Sequence, residues 1–196
     1  MQYGFRRSGT FSYRPRCDSC RECVPVRVVI ADFTSTRSQR RSWKKHLDME
    51  ISLHGPVEQA EHFALYQRYQ NSRHRDGGMD DNDPEQYRSF LLQSHVDSML
   101  VEFREHGVLR MVSLIDILAD GISAVYTFYD PDIAGSSFGT FNVLWQIELC
   151  RKLQLPYLYL GFWIEQSQKM AYKANFQPLQ GLKNGSWQTI NPEDTQ

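Results

Sequence analysis

Between residues 98 and 130 the apolar residues settle into a period of two, held through three consecutive runs. That period puts successive side chains on opposite faces of an extended chain. The runs 98–104, 108–117 and 122–130 are separated by His106-Gly107 and Asp120-Gly121, dipeptides that suit two-residue hairpins. Connections that short join antiparallel neighbours. The spacing therefore predicts a three-stranded antiparallel meander, and the rest of the fold must be built around it.

Helical spacing returns on both sides. Phe63, Tyr66 and Tyr69 mark a helix over 58–74 that stops at Asp76-Gly77-Gly78, and Asp83-Pro84 opens another that runs to about 93. Upstream, 23–30 reads as a β-branched strand in which Pro25 points to an edge or a strand start. Ser35 or Thr36 caps a short basic helix, and 49–53 alternates as a strand. After the meander come a helix over 138–153, a buried strand over 156–163, a short helix over 167–175 and a hairpin at 183–187. The class is α+β: a mixed sheet with an antiparallel meander flanked by helices, plus a basic, Cys-containing N-terminal stretch. Meander, crossover helix and adjoining strand form the element order of the acyl-coenzyme A N-acyltransferase fold. Two parts are expected, a basic segment 1–46 with a Cys cluster and a catalytic domain 47–196.

Charge is distributed unevenly. The formal net charge is −1, yet residues 1–46 carry eleven Lys or Arg against three Asp or Glu. Such asymmetry suits a polyanionic partner at this end; a solvated basic face is the bland alternative. No run approaches the roughly 18 apolar residues of a membrane span. The first seven residues, Met1-Gln2-Tyr3-Gly4-Phe5-Arg6-Arg7, have no apolar core of a secretory signal. The expectation is a cytoplasmic protein with no membrane partner.

Cys17, Cys20 and Cys23 follow the pattern C-x-x-C-x-x-C, with Cys150 far away. Thiolates at that spacing can share zinc or an iron–sulfur cluster, with Cys150 or a histidine as the fourth donor. Three reduced thiols on a loop are the alternative.

In an N-acyltransferase fold the acyl donor lies between the third meander strand and the strand after the crossover helix. Coenzyme A would need a Gly-rich turn presenting backbone N–H groups to its pyrophosphate. Here that turn is Asp130-Pro131-Asp132-Ile133-Ala134-Gly135-Ser136-Ser137-Phe138-Gly139-Thr140. Its two glycines have the wrong spacing, and Asp130 and Asp132 repel phosphate. Beyond the later strand, Lys169 and Lys173 share one helix face with Tyr172 beside them. That combination suits phosphate and an unstacked base at the 3′ end of a nucleic acid.

Linked blocks along the chain resemble the bacterial aspartate/glutamate leucyltransferases of the arginyl-tRNA–protein transferase family. They are Phe5-Arg6-Arg7-Ser8-Gly9, Tyr13-Arg14-Pro15, the run from Cys17 through Cys20 and Cys23 to Arg27, and Ser38-Gln39-Arg40-Arg41. Further on come Tyr126-Thr127-Phe128-Tyr129-Asp130-Pro131, the run from Gly139 to Glu148, the run from Leu155 to Ile164, and Lys169-Met170-Ala171-Tyr172-Lys173-Ala174. The likeness extends from about Phe5 to Trp187. Family members carry a few dozen residues before the equivalent of Phe5, so the likeness casts 1–46 as the remnant of an N-terminal subdomain.

What the resemblance implies is an aminoacyltransferase that moves leucine from leucyl-tRNA to the α-amine of proteins or peptides beginning with Asp or Glu, marking them for degradation. The ester is already activated, so no cofactor is required. Asp130, Tyr126 and Tyr129 become candidate catalytic residues. Arg110 and Arg104 become candidate readers of the substrate carboxylate. Lys169, Tyr172 and Lys173 would hold the acceptor end of the tRNA, and Arg6, Arg7, Arg14, Arg40, Arg41, Lys44 and Lys45 its phosphates. An acetyl-coenzyme A-dependent N-acetyltransferase and a metal-bearing RNA-binding module without catalysis are the rivals.

Overall fold

The computed structural model describes residues 1–73 and 83–190; the expected helix stop at Asp76-Gly77-Gly78 lies outside them. Its strands and helices, in chain order, are β1 (Arg6–Ser8), β2 (Phe11–Tyr13), β3 (Val24–Val29), α1 (Arg37–Lys44), β4 (Glu50–His54), α2 (Ala60–Arg73), α3 (Pro84–Tyr87), β5 (Ser98–Glu105), β6 (Val108–Leu118), β7 (Gly121–Tyr129), α4 (Phe138–Lys152), β8 (Tyr157–Trp163), α5 (Gln168–Ala171), β9 (Leu179–Lys183) and β10 (Ser186–Ile190). A π turn (Arg88–Leu92) prolongs α3, and a 3₁₀ turn (Tyr172–Asn175) prolongs α5. No helix among the described residues is long and apolar enough to cross a membrane.

Eight strands form one sheet in the order β10-β9-β3-β8-β7-β6-β5-β4, and β1 and β2 pair separately. The expected meander is β5-β6-β7, antiparallel throughout. The pair β7 and β8 is parallel, so the chain must cross over between them, and α4 is that crossover.

Alternation along β6 builds two cores. Met111 and Ile115 face Phe141, Leu144 and Ile147 of α4, while Val112 and Leu114 face Leu65 and Tyr66 of α2 with Tyr87 and Leu91. Each fully buried side chain of this kind contributes about 1.5–3 kcal/mol. The sheet is thus covered on both faces, and its strands present their ends and their gaps to ligands.

The local signals act largely as read. Thr36 caps α1 with a reciprocal capping box with Gln39. The Asp83 side chain accepts from the Glu85 N–H at 2.8 Å, with Pro84 in the first turn. His106 and Gly107 both take positive φ, 51° and 77°, as a tight hairpin requires. The Asp120-Gly121 turn differs. Leu118 pairs with Gly121, so Ala119 and Asp120 make the turn and Gly121 opens β7. Gly121 is needed there because a β-carbon would stand 2.4 Å from the Tyr157 carbonyl oxygen.

β3 carries Pro25 at its start, one of the two positions expected of it, and not at an edge. It lies inside the sheet, between β8 and β9. Pro25 fits because β9 pairs only with Val26, Arg27 and Val28, leaving one side of β3 without a strand neighbour at Pro25. The boundary expected at residue 46 therefore cuts through one continuous sheet. The N-terminal strap is anchored by Arg7, which is buried against Asp116: Nε donates to the two carboxylate oxygens at 3.0 and 2.8 Å, and Nη2 donates to Oδ1 at 2.7 Å. Ser98 adds a hydroxyl donor to Asp116 at 2.7 Å.

Candidate acyl-transfer cleft

β7 and β8 are paired only at their first three residues, Gly121 to Ser123 against Tyr157 to Tyr159. Beyond them the strands part, and each carries an irregularity at that point. Leu114 pairs with Tyr126 and Ile115 with Ala124, so Val125 is an extra residue in β7. Val26 pairs with Gly161 and Arg27 with Tyr159, so Leu160 is extra in β8. An inserted residue bends its strand, and two bends on facing strands open a wedge.

Parting leaves the Ala124 and Val125 carbonyls without a strand partner. Arg6, from β1, supplies one: Nη2 donates to both at 2.9 Å. Its approach passes over Gly161, at φ 79°, where a β-carbon would lie 1.5 Å from Arg6 Nη1. The wedge is a cleft of about 690 Å³. Tyr126, Tyr129 and Asp130 line it from β7 and its end, and Lys169, Tyr172 and Lys173 from the segment after β8. Those six sequence-predicted residues come together here.

Asp130 is not loose. Oδ1 accepts from Arg68 Nη2 at 2.6 Å, and Oδ2 accepts from Arg110 Nη1 at 2.9 Å. Arg68 reaches Asp132 as well, at 2.7 Å. Lys173 is buried, and its ammonium donates to the Phe162 carbonyl. Burial, reinforced by the Arg6 charge, brings its pKa down to about 7. Burial likewise holds Arg6 below its ordinary value.

Behind the cleft, Asn142 on α4 donates to Thr127 Oγ1 at 2.9 Å and Gln146 donates to Ser113 Oγ at 3.1 Å, the two hydroxyls being 3.0 Å apart. The Asn142 side-chain oxygen is left buried and without a partner. Asn142, Gly161 and Arg68 escaped sequence reasoning. A polar residue on the apolar face of a helix was the available signal for Asn142; nothing local marks the other two.

Other sequence-predicted residues go elsewhere. Arg104 bonds Glu61 at 2.7 Å and Glu102 at 2.9 Å, and Arg110 bonds Asp130 and lies 3.4 Å from Glu105. Both expected carboxylate readers thus hold carboxylates of their own chain. Arg7 is committed to Asp116 and presents nothing to a phosphate, and Arg6 faces carbonyls within the cleft. Arg14 sits 5.1 Å above the Phe5 ring and lines a separate groove of about 800 Å³ with Arg16, Arg21 and Lys183. Arg40, Arg41, Lys44 and Lys45 are exposed on and just after α1. Lys45 donates to the Gly135 carbonyl at 3.0 Å, and a His46 ring nitrogen lies 2.6 Å from the Ser136 carbonyl, so α1 adjoins the cleft's loop.

Cys17 and Cys20 are exposed and Cys23 is half-buried. Cys150, buried in α4, turns its thiol to the Tyr157 carbonyl, and burial pushes its pKa up to about 12. No three of His, Cys, Asp and Glu converge as a metal shell among the described residues.

A meander, a crossover helix and a parallel strand that parts from it define an N-acyltransferase-type fold. The same fold is seen in L-PGS from Bacillus licheniformis (TM-score 0.61, 12% identity, covering 81% of this chain and 58% of that one) and in FemX (TM-score 0.55, 9% identity, covering 85% and 59%). Residues 1–41 match the N-terminal model of the arginine-tRNA-protein transferases, and residues 61–183 the C-terminal model. The chain belongs to the arginine-tRNA–protein transferase family and is, by that membership, an aminoacyltransferase. It is 62% identical over 190 residues to the aspartate/glutamate leucyltransferase of Nitrosospira multiformis, covering 97% of this chain and 76% of that one. It is 54% identical over 193 residues to that of Methylobacillus flagellatus, covering 98% and 78%.

Proposed function

We propose that the chain transfers leucine from leucyl-tRNA to the α-amino group of proteins or peptides beginning with Asp or Glu, in the cleft between β7 and β8. The new N-terminal leucine then marks the acceptor for degradation, a cytoplasmic role. The observation that carries this reading is the cleft lining. Arg6, Lys169 and Lys173 contribute three cations against one carboxylate, Asp130, which is already held by two arginines. Such a lining suits an acidic acceptor and a polyanionic donor.

Neutral amine attacks the leucyl ester carbonyl carbon. The carbonyl oxygen becomes an oxyanion and re-forms its double bond as the C–O bond to the ribose breaks, and the proton shed by the amine ends on the departing ribose oxygen. The amine, with an ordinary pKa of about 7.7–8.0, is partly nucleophilic at neutral pH. Alignment of amine and ester can supply about 7–11 kcal/mol of the barrier. Asp130, held by Arg68 and Arg110, forms part of the rim of the cleft.

Coenzyme A is not favoured as donor. Asp130 and Asp132 stand at the entrance to α4, and the carbonyls of Gly135, Ser136 and Ser137 engage Lys45, His46 and Ser42, on and just after α1. The exposed cations of α1 and the groove beside Arg14 supply surfaces for the tRNA backbone. The three clustered thiols remain a candidate site for zinc or an iron–sulfur cluster, with a fourth donor still to be identified, and no step above runs through it.

The test is transfer of radiolabelled leucine from charged tRNA to a peptide beginning with Asp, beside one beginning with Ala. Label on the Asp peptide alone supports the reading. Equal labelling, or acetylation from acetyl-coenzyme A in its place, defeats it.

A further inference from the structure

Two cations in the cleft have no counterion of their own. Lys173 is 7% exposed, and it is bonded to a carbonyl. Arg6 spends Nη2 on the Ala124 and Val125 carbonyls, and its Nε is buried without any partner. Among the described residues neither forms an ion pair, whereas Arg68, Arg104 and Arg110 each pair with two carboxylates. A buried ammonium without a counterion is costly, and the cost is relieved when an anion arrives.

We infer that Lys173, together with Arg6, seats the side-chain carboxylate of the acceptor's first residue and so sets the preference for Asp and Glu. This rests on the transfer reading above, and it moves the carboxylate reader from Arg104 and Arg110 to the cleft wall. An ammonium has three donors, and Phe162 uses one; two remain for an incoming carboxylate. Both cations border the gap that receives the ester, so a side chain gripped there leaves its own α-amine, a few bonds away, inside the same cleft. The charged or titratable groups around the seat are Arg7 and its partner Asp116 near Arg6, Tyr13 from β2, Tyr69 from α2, Tyr126, Tyr129 and Asp130 from β7 and its end, and Lys169 and Tyr172 from the segment that carries Lys173. Asp130 is held by Arg68 and Arg110 and does not compete for the seat.

The decisive comparison is between peptides beginning with Asp and with Asn, equal in shape and different in charge. In the unaltered enzyme the Asp peptide is preferred in kcat/KM. Lys173→Gln should lower that preference about 10- to 100-fold, the range for a lost hydrogen bond to a charged group, read as the ratio of kcat/KM on the two peptides so that any loss common to both cancels. A preference that survives the substitution overturns the inference, and so does equal loss on both peptides with the melting temperature intact.

Where Lys173→Gln fails to fold, calorimetric titration of the unaltered protein decides. Near pH 7.5, in buffers of different ionisation enthalpy, the Asp peptide should take up more protons on binding than the Asn peptide. Equal uptake overturns the inference. Failure of leucine transfer to any peptide would instead strike the function itself, and the Asp-against-Asn difference in proton uptake is read without turnover.

Discussion

Arg6 and Gly161 occupy space that only one of them can fill: a β-carbon on Gly161 would stand 1.5 Å from Arg6 Nη1. The glycine lets β8 swing away from β7, and the arginine satisfies the carbonyls that the swing exposes. Gly161→Ala should therefore displace Arg6 as well as strain a backbone at φ 79°. The expected cost is about 1–3 kcal/mol of stability, with leucine transfer lost beyond what the melting temperature explains. Full transfer activity in this variant would contradict the arrangement.

Arg7 and Asp116 are both buried, at 7% and 3% side-chain exposure. Asp116→Ala leaves a guanidinium uncompensated in the interior and should cost about 3–5 kcal/mol, read as a shift in the urea midpoint. The salt dependence of tRNA binding should not change, because Arg7 meets no phosphate.

Arg110 holds Asp130 from one side and Arg68 from the other. Arg110→Ala should lower kcat on Asp- and Asn-initiated peptides by the same factor. Selective loss on the Asp peptide would return Arg110 to the role of carboxylate reader.

Lys173 has an ordinary pKa of 10.5 and, folded, one brought down to about 7. Between those values the unfolded chain keeps a proton that the folded chain has released. This group's contribution to stability therefore rises with pH across that window. Below it both forms are protonated, and the folded chain bears the full cost of a buried charge. The stability advantage of Lys173→Met over the unaltered protein should shrink from about pH 7 towards about pH 10. Urea midpoints in a pH series check this, and a constant difference would refute it.

The groove lined by Arg14, Arg16, Arg21 and Lys183 is exposed and basic. Each alanine substitution that removes a phosphate contact should flatten the slope of log K for tRNA against log salt by about 0.7–0.9. The preference among acceptor peptides should stay as it was.

Much of the scaffold was legible because local chemistry decides it. Period-two alternation marked β5, β6 and β7, and Thr36 and Asp83 capped their helices as their side chains dictate. The gathering of Tyr126, Asp130, Lys169 and Lys173 in one cleft also followed from element order. Less legible were the interior place of β3, where Pro25 allowed either an edge or a strand start, and the fates of Arg6, Arg7, Arg104 and Arg110. Every one of these arginines has a partner far away in sequence or across the sheet, and charge alone names no partner.

The order of strands and helices, their caps and their tight turns come from interactions within a few residues, so the amino-acid sequence by itself determined them. Which cations are spent on carboxylates of their own chain, and which stand in the cleft without one, only the tertiary structure decided. Burial and pairing are properties of residues brought together from distant parts of the chain, and they turn a common basic residue such as Lys173 into a distinctive one.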